Sequence, residues 1–403
     1  MHLKTLKSAK DLKGKKVLLR VAYDVPLKQE GKKWVVADET RIAATLPTLK
    51  YLLRQKAKIV LLSWLGRPDG HVVDKYKMDP VAKALSKLIK KPVKKLDDCI
   101  GPKVFGEIQK LKNGQILMLE NTRFYPEEEK ANKRFAKLLV HGLDLIVFDA
   151  FAQAHRVHAS TTEITKMLPT YAGLLLEKEI KALSGLVENP QKPFVVVLGG
   201  AKLSDKIGVL NHLVSRADKI LIGGAAANVF LKASRVPIGN SFIQDSFVDK
   251  AKSKKISAVK LAKKMLKNHK NKFVLPVDLL ATNNLDKPGF VELIDLSEKT
   301  IINKTWLFVD IGPKTIKEYS KILKKAKTIF WNGPMGVFEI DKFALGTKKI
   351  AQAIASNKNT TILGGGDTES VLSKYKLEKK FTHVSTGGGA SLEFLAGKHL
   401  PAL

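Results

Sequence analysis

Short β-branched runs alternate with longer amphipathic stretches along nearly the whole chain, and this alternation limits the possible folds more than any other feature. In the first half the apolar runs are Lys16–Ala22, Lys58–Ser63, Gln115–Leu119 and Leu143–Asp149. In the second half they are Phe194–Leu198, Lys219–Ile222, Lys272–Leu275, Trp306–Asp310, Thr328–Trp331, Thr361–Leu363 and Phe381–Ser385. Most are apolar almost without interruption, as strands covered on both faces require. Helical patterns fill the gaps at Thr40–Arg54, Asp79–Ile89, Asn132–Val140, Ser204–Val214, Asp245–Lys267, Pro313–Lys324, Phe343–Ala355 and Ser391–Ala396. The order predicts an α/β fold with parallel sheets and right-handed crossovers. Gly173–Val187 reads as one helix ended by Asn189-Pro190, and a new strand follows Pro193. We expect two domains, residues 1–172 and 189–390, joined by an inter-domain helix over 173–188, with ligands at the C-terminal strand ends.

A length of 403 residues fits two such domains. Lysine and arginine total 71 against 38 acidic residues, a net charge of +33. That charge raises the question of a polyanion partner. Only nine of the basic residues are arginine, however, and the lysines are spread along the chain at helical spacing, as on a solvated surface. No aromatic-interleaved basic motif is present, so nucleic acid is not the expected partner. Five arginines, Arg20, Arg41, Arg67, Arg123 and Arg156, fall in the first 160 residues. Most of them sit near the ends of apolar runs. A chain that prefers lysine so heavily and still places arginine there points to planar, bidentate binding of carboxylate or phosphate. The single cysteine, Cys99, excludes an intrachain disulfide and a four-thiolate zinc cage, and fits a reducing compartment. No apolar run approaches the ~18 residues of a membrane helix, and the N-terminus has no signal-peptide pattern.

Six glycine-rich turns follow apolar runs in the second half: Leu198-Gly-Gly-Ala-Lys202, Gly223-Gly224, Asp310-Ile-Gly-Pro-Lys314, Trp331-Asn-Gly-Pro-Met-Gly336, Gly364-Gly-Gly-Asp-Thr368 and Thr386-Gly-Gly-Gly-Ala390. Glycine lets backbone approach a ligand closely, and a helix start after it offers N–H groups to phosphate. Six such exits point to a nucleotide or polyphosphate, although neither GxxxxGK[ST] nor GxGxxG occurs. Lys202 and Lys206, spaced i,i+4, are expected on one helix face, where they would hold a phosphoryl group. Asp367 is placed to reach a phosphate-bound Mg²⁺ or to cap a helix. His155 and His158 have no third ligand nearby, so a loop role is expected rather than a metal site. Trp64 and Trp331, at strand ends, read as core or lid residues, with core the default.

Taken together, these motifs resemble the phosphoglycerate kinase family from about Leu12 to the C-terminus. The specific stretches are Ser63-Trp-Leu-Gly-Arg-Pro68, Glu120-Asn-Thr-Arg-Phe124, Asp149-Ala-Phe-Ala-Gln-Ala-His-Arg-Val-His-Ala-Ser160, Gly199-Gly-Ala-Lys-Leu-Ser-Asp-Lys-Ile-Gly208, Trp331-Asn-Gly-Pro-Met-Gly-Val-Phe-Glu339 and Ser385-Thr-Gly-Gly-Gly-Ala-Ser391. The resemblance implies reversible phosphoryl transfer between MgATP and 3-phosphoglycerate, giving ADP and 1,3-bisphosphoglycerate, in a cytoplasmic monomer. It implies two Rossmann-like three-layer domains that close on a hinge, with the tail 391–403 packed back on the first. Arg67, Arg123 and Arg156, with the loops carrying Ala22, Asp24, Trp64 and His155, would hold the acidic substrate. Arg41, Lys202 and Lys206 would meet the transferring phosphoryl, with backbone N–H groups at Gly365 and Gly388. Gly200, Gly223, Gly224, Gly312, Asn332 and Glu339 would line the nucleotide site. Gly365, Gly366, Asp367 and Thr368 would meet its phosphates, Asp367 near Mg²⁺.

The chain also departs from the family pattern, chiefly in the ligand loops. Asp-Phe/Tyr-Asn-Val-Pro reads Ala22-Tyr-Asp24-Val-Pro26, and Trp64 stands for histidine. Phe148, Ala152 and Gln153 replace Asn, Gly and Thr. Gly-Gly-Gly-Met-Ala reads Gly223-Gly-Ala225-Ala226-Ala227, a change expected to narrow the adenine slot. Each lost charge-assisted contact costs roughly 1.5–3 kcal/mol. Weakened substrate binding is therefore expected, with a nucleotide-binding member of low or no activity as the alternative.

Overall fold

Val17, Leu19 and Val21 alternate along the strand Lys16–Val21 and share one core with Ile59, Leu61, Ile116, Met118 and Val147 of the neighbouring strands. Strand-period alternation on a wholly buried run is what places them there. The sheet has six strands in the order Val93–Lys95, Ile116–Met118, Lys58–Leu62, Lys16–Val21, Leu145–Asp149 and Thr170–Ala172, and every pairing is parallel. In register, Val17 lies opposite both Ile59 and Leu145. The helices Leu46–Arg54 and Asp79–Ile89 close one face with Leu49, Leu52, Val81 and Leu85. A hairpin, Leu27–Glu30 with Lys33–Val36, is added outside the sheet.

In this computed structural model the described residues are 4–249, 254–297 and 302–403. The chain divides into two units, Met1–Lys181 with His399–Leu403, and Ala182–Lys398. The division runs through one helix, Leu174–Glu188. The second unit has its own six-stranded parallel sheet in the order Phe273–Val274, Lys219–Ile222, Phe194–Leu198, Thr328–Asn332, Thr360–Leu363 and His383–Val384. Phe194–Leu198 and Thr328–Asn332 are adjacent at its centre, with Val197 opposite Trp331. The chain leaves these two strands toward opposite edges of the sheet, which opens a crevice at their C-terminal ends.

Several expectations need correction. Thr40–Arg54 is two helices, Thr40–Ala44 and Leu46–Arg54, because Pro47 has no N–H to donate back to the preceding turn. Asp245–Lys267 is not one helix. Ser246–Asp249 and Lys254–Ser257 pair as a hairpin, residues 250–253 lie outside the described residues, and the helix Ala258–Asn268 begins at the Ser257 cap. The run at Trp306–Asp310 forms a strand, Leu307–Ile311, but it pairs antiparallel with Asp278–Thr282 in a separate three-stranded sheet. Asp278 explains that placement. Its carboxylate accepts from Lys314 N (2.8 Å) and Thr315 N (2.7 Å), so this strand caps the helix Pro313–Lys325. The helices Gly224–Ala233 and Gly366–Tyr375 carry too little apolar periodicity to be read from sequence, whereas Pro102–Lys110, which buries Val104 and Ile108, is amphipathic but was not predicted.

The buried hydroxyl of Thr48 connects two elements of the first unit. It accepts from Leu174 N at 2.9 Å beside the buried Asp149 carboxylate, which accepts from Leu176 N at 3.0 Å. Thr48→Val keeps the shape and removes the bond to Leu174 N at the helix start. We expect a loss of about 1–3 kcal/mol, seen as a lower urea midpoint for the transition of this unit. An unchanged midpoint refutes the assignment.

Candidate active site

In the first unit the strand ends gather the predicted arginines, and the loop after Lys58–Leu62 organises them. Asn121 fixes that loop. Its Oδ1 accepts from Leu65 N and Arg123 N (both 3.1 Å), and its Nδ2 donates to Leu65 O (2.7 Å) and Tyr76 O (3.0 Å). Gly66 follows at φ +66, where a Cβ would run into the Tyr76 ring. Its N–H donates to Asp24 Oδ1 (2.9 Å) and its carbonyl accepts from Arg123 Nη1 (2.7 Å). Asp24 is therefore occupied in holding the loop, and its own carbonyl accepts from Arg41 Nη1 (2.7 Å). Arg67 and Arg156 are exposed, Arg41 and His155 are half-buried, and Ala22 is buried.

Behind this rim lies a buried charged layer. Arg20 is wholly buried, its Nε donating to Ser160 O (2.9 Å) and Oγ (3.1 Å) and its Nη1 to Val21 O. Burial lowers its pKa to about 10, against the pull of Glu128. Glu128, also buried, accepts from Ser160 Oγ (2.5 Å) and N (3.1 Å), and burial raises its pKa. Arg123 makes an ion pair with Glu129 at 3.0 Å, and burial lowers its pKa. The His158 pKa is lowered to about 4, by burial first and then by Arg123, Arg20 and Arg156, so its imidazole is neutral at pH 7. Trp64 is 2% exposed, with Arg20 Cζ 4.4 Å and Arg123 Cζ 4.6 Å from its ring centroid. It is packed inside, as a core reading expects. Arg20, the fifth of the early arginines, belongs to this layer rather than to the rim.

In the second unit, the exits of the two central strands touch through backbone. Gly199 N donates to Asn332 O (2.9 Å) and Gly200 N to Pro334 O (2.7 Å). Gly224 N donates to Met335 O (2.7 Å) and Ala226 N to Gly200 O (3.1 Å). A Cβ on Gly199 would collide with Pro334 O, so glycine is obligatory there. The adjoining cavity, about 320 Å³, is lined by Gly200, Gly224, Ala225, Asp310, Glu339 and Asp367 among others. Ala225 forms part of its wall, whereas Ala226 is buried in the helix.

Other predicted nucleotide residues hold this cradle together. Asn332 Nδ2 donates to Gly364 O (2.5 Å), and Gly333 N donates to Thr368 Oγ1 (2.7 Å). Gly365 caps the helix Gly366–Tyr375 at φ 101, with the exposed Asp367 in its first turn. Gly223 packs against Met335, and Gly312 packs against Asp278 at the start of its helix. Gly388 precedes the helix Gly389–Leu395 at φ 53. Lys202 and Lys206 do not share a helix face, since the helix begins only at Ile207. They lie in the preceding turn, where Lys206 Nζ bends back to Lys202 O at 3.4 Å. Lys202 is exposed and Lys206 is buried, and burial lowers the Lys206 pKa. No cluster of three or more His, Cys, Asp or Glu able to hold a metal occurs among the described residues. Likewise, no helix among them is long and apolar enough to cross a membrane.

Asp310 was missed as a cavity residue, because on sequence it reads only as a strand end. Its carboxylate accepts from Gly346 N (2.6 Å) and Ile311 N (2.9 Å). Burial nevertheless pushes its pKa up to about 7. The folded chain thus keeps a proton that the unfolded chain releases near pH 4, and this contribution to stability is lost as pH rises through about 7. Between pH 4 and 7 the denaturation midpoint is expected to fall more steeply for the parent than for Asp310→Asn. Parallel slopes refute the shift.

A family model described as phosphoglycerate kinase matches residues 6–398. The chain is 49% identical to a phosphoglycerate kinase of Dictyoglomus turgidum, over 98% of this chain and 96% of the relative. It is 44% identical to one of Borreliella afzelii, over 100% and 99%. Among solved structures, phosphoglycerate kinase from Coxiella burnetii superposes with a TM-score of 0.85 at 36% identity, over 100% of this chain and 98% of that one. The enzyme from Pyrococcus horikoshii gives 0.81 at 33%, over 99% and 97%. These comparisons give no support to a catalytically silent relative. With the glycine cradle and the arginine rim both in place, the chain belongs to the phosphoglycerate kinase family, the kinases that exchange a phosphoryl group between ATP and 3-phosphoglycerate.

Proposed function

We propose that the arginine rim of the first unit holds 3-phosphoglycerate and the glycine cradle of the second holds MgATP, each unit supplying one substrate's site. The observation that carries this reading is Lys206. It is a buried ammonium beside Gly200, and among the described residues it has one long hydrogen bond and no ion pair. A buried cation left in that condition is costly, and an incoming phosphate offsets the cost.

In the reaction a carboxylate oxygen of 3-phosphoglycerate attacks the γ-phosphorus. The bond to the β–γ bridging oxygen breaks, ADP leaves with that electron pair, and an acyl phosphate forms with no proton transfer. The chain's work is positioning and charge stabilisation. Arg67, Arg123 and Arg156 bind the acceptor's anionic groups. Ala22, Asp24, Trp64 and His155 shape the loops that carry them. Arg41, Lys202 and Lys206 meet the transferring phosphoryl, with the N–H groups at Gly365 and Gly388. Gly200, Gly224, Glu339 and Asp367 line the nucleotide cavity. Gly223, Gly312, Asn332, Gly366 and Thr368 keep its turns in place. Asp367, an exposed carboxylate at the cavity, suits Mg²⁺, which would arrive with the nucleotide and take most of its ligands from phosphate and water. The ion would neutralise phosphate charge.

A single buried cysteine supports a reducing, cytoplasmic setting, and we propose a monomer without a nucleic-acid partner. The test is ATP consumption dependent on 3-phosphoglycerate, coupled to reduction of the product. Robust turnover is expected. Lys206→Met should lower kcat by about 10²–10³-fold, on the scale of losing one preorganised charge-stabilising donor, with the KM for 3-phosphoglycerate little changed. A folded Lys206→Met variant with parental kcat overturns the assignment.

A further inference from the structure

We infer that Trp64 is a positioning residue for the acceptor site, holding the Arg123 guanidinium against its indole so that a free donor edge meets the anion. The inference rests on the reading that Arg123 binds 3-phosphoglycerate. Three fixings on Arg123 are visible. Its Nη1 donates to Gly66 O at 2.7 Å, its Nε pairs with Glu129 at 3.0 Å, and its Cζ lies 4.6 Å from the indole centroid. The Glu129 side chain is 50% exposed, so water screens that pair. One carbonyl contact fixes a point but not a plane. The indole, 2% exposed, is the rigid surface that sets the plane of the guanidinium. Among the described residues the guanidinium's one hydrogen bond is made by Nη1 and Nε is engaged only in the ion pair, which leaves the Nη2 edge for the ligand.

The same ring also bears on Arg20, whose Cζ is 4.4 Å from the centroid, and its centroid is 4.9 Å from that of His158. Arg123 is a like charge that helps lower the Arg20 pKa, after burial, and the π face opposes the repulsion between them. Arg20 is anchored to Ser160 and, through Ser160, to Glu128. The stack therefore ties a mobile-edged ligand arginine to an immobile buried one. A leucine or a small polar side chain at this position keeps neither the plane nor the π charge.

The experiment measures kcat and both KM values for the full chain and for Trp64→Phe, Trp64→Leu, Arg123→Ala and Trp64→Leu/Arg123→Ala. In Trp64→Leu the KM for 3-phosphoglycerate should rise roughly tenfold while the KM for ATP stays put. Trp64→Phe should recover most of it, and Trp64→Leu should add little on top of Arg123→Ala. An equal effect of Trp64→Leu with and without Arg123, or a loss confined to kcat, overturns the positioning role. An unchanged KM in Arg123→Ala overturns the substrate assignment of Arg123 itself, a separate result. If Trp64→Leu does not fold, fluorinated tryptophans grade the π charge at constant shape. The KM for 3-phosphoglycerate should then rise with fluorine number in the parent and stay flat in Trp64→Phe. A flat response in the parent refutes the inference.

Discussion

Backbone packed directly on backbone, where Gly199 and Gly200 meet Asn332 and Pro334, is the constraint on which the second unit depends. Two central strands end side by side, and no side chain fits between their exits. This leaves amides and a lysine at the surface of the crevice where larger residues would otherwise stand. The flanking elements follow from it. Thr368 ties the next turn to Gly333, Asn332 ties it to Gly364, and the Gly224–Ala233 helix starts against Met335. Several residues assigned to the nucleotide by resemblance are thus fasteners of the cradle.

The first unit solves a different problem. It brings guanidinium groups together, two of them buried, before any anion arrives. Burial alone disfavours these charges, as the lowered pKa values of Arg20 and Arg123 record. Glu128, Glu129, Ser160 and the Trp64 ring compensate from within the protein. The altered loop residues belong to this compensation. Asp24, which stands where the family pattern has asparagine, spends its carboxylate on the Gly66 N–H. Trp64, which stands for the family's histidine, is a platform for two cations.

Much of this was legible in the chain, for identifiable reasons. Continuous runs such as Phe194–Leu198 read as strands covered on both faces, and their glycine-rich exits marked the cavity of the second unit. The scarcity of arginine made Arg67, Arg123 and Arg156 stand out. What was hidden depends on partners distant in sequence. Nothing local shows that Asp278 caps a helix 35 residues on, that Asp310 meets Gly346, or that Leu307–Ile311 pairs antiparallel. Helices with a glycine- or alanine-rich start, such as Gly224–Ala233, lack the apolar stripe that reveals a helix, because tertiary contacts rather than amphipathicity stabilise them.

Asn121 spends its side-chain amide on three backbone groups of the loop after Lys58–Leu62 and on Arg123 N. Such a loop gives up its conformational freedom when the chain folds. A ligand that meets it therefore forfeits little of its binding energy to ordering protein. For an enzyme that must release an acyl phosphate as readily as it captures a carboxylate, a preorganised loop offers the same surface to both, so neither direction carries a cost of ordering it.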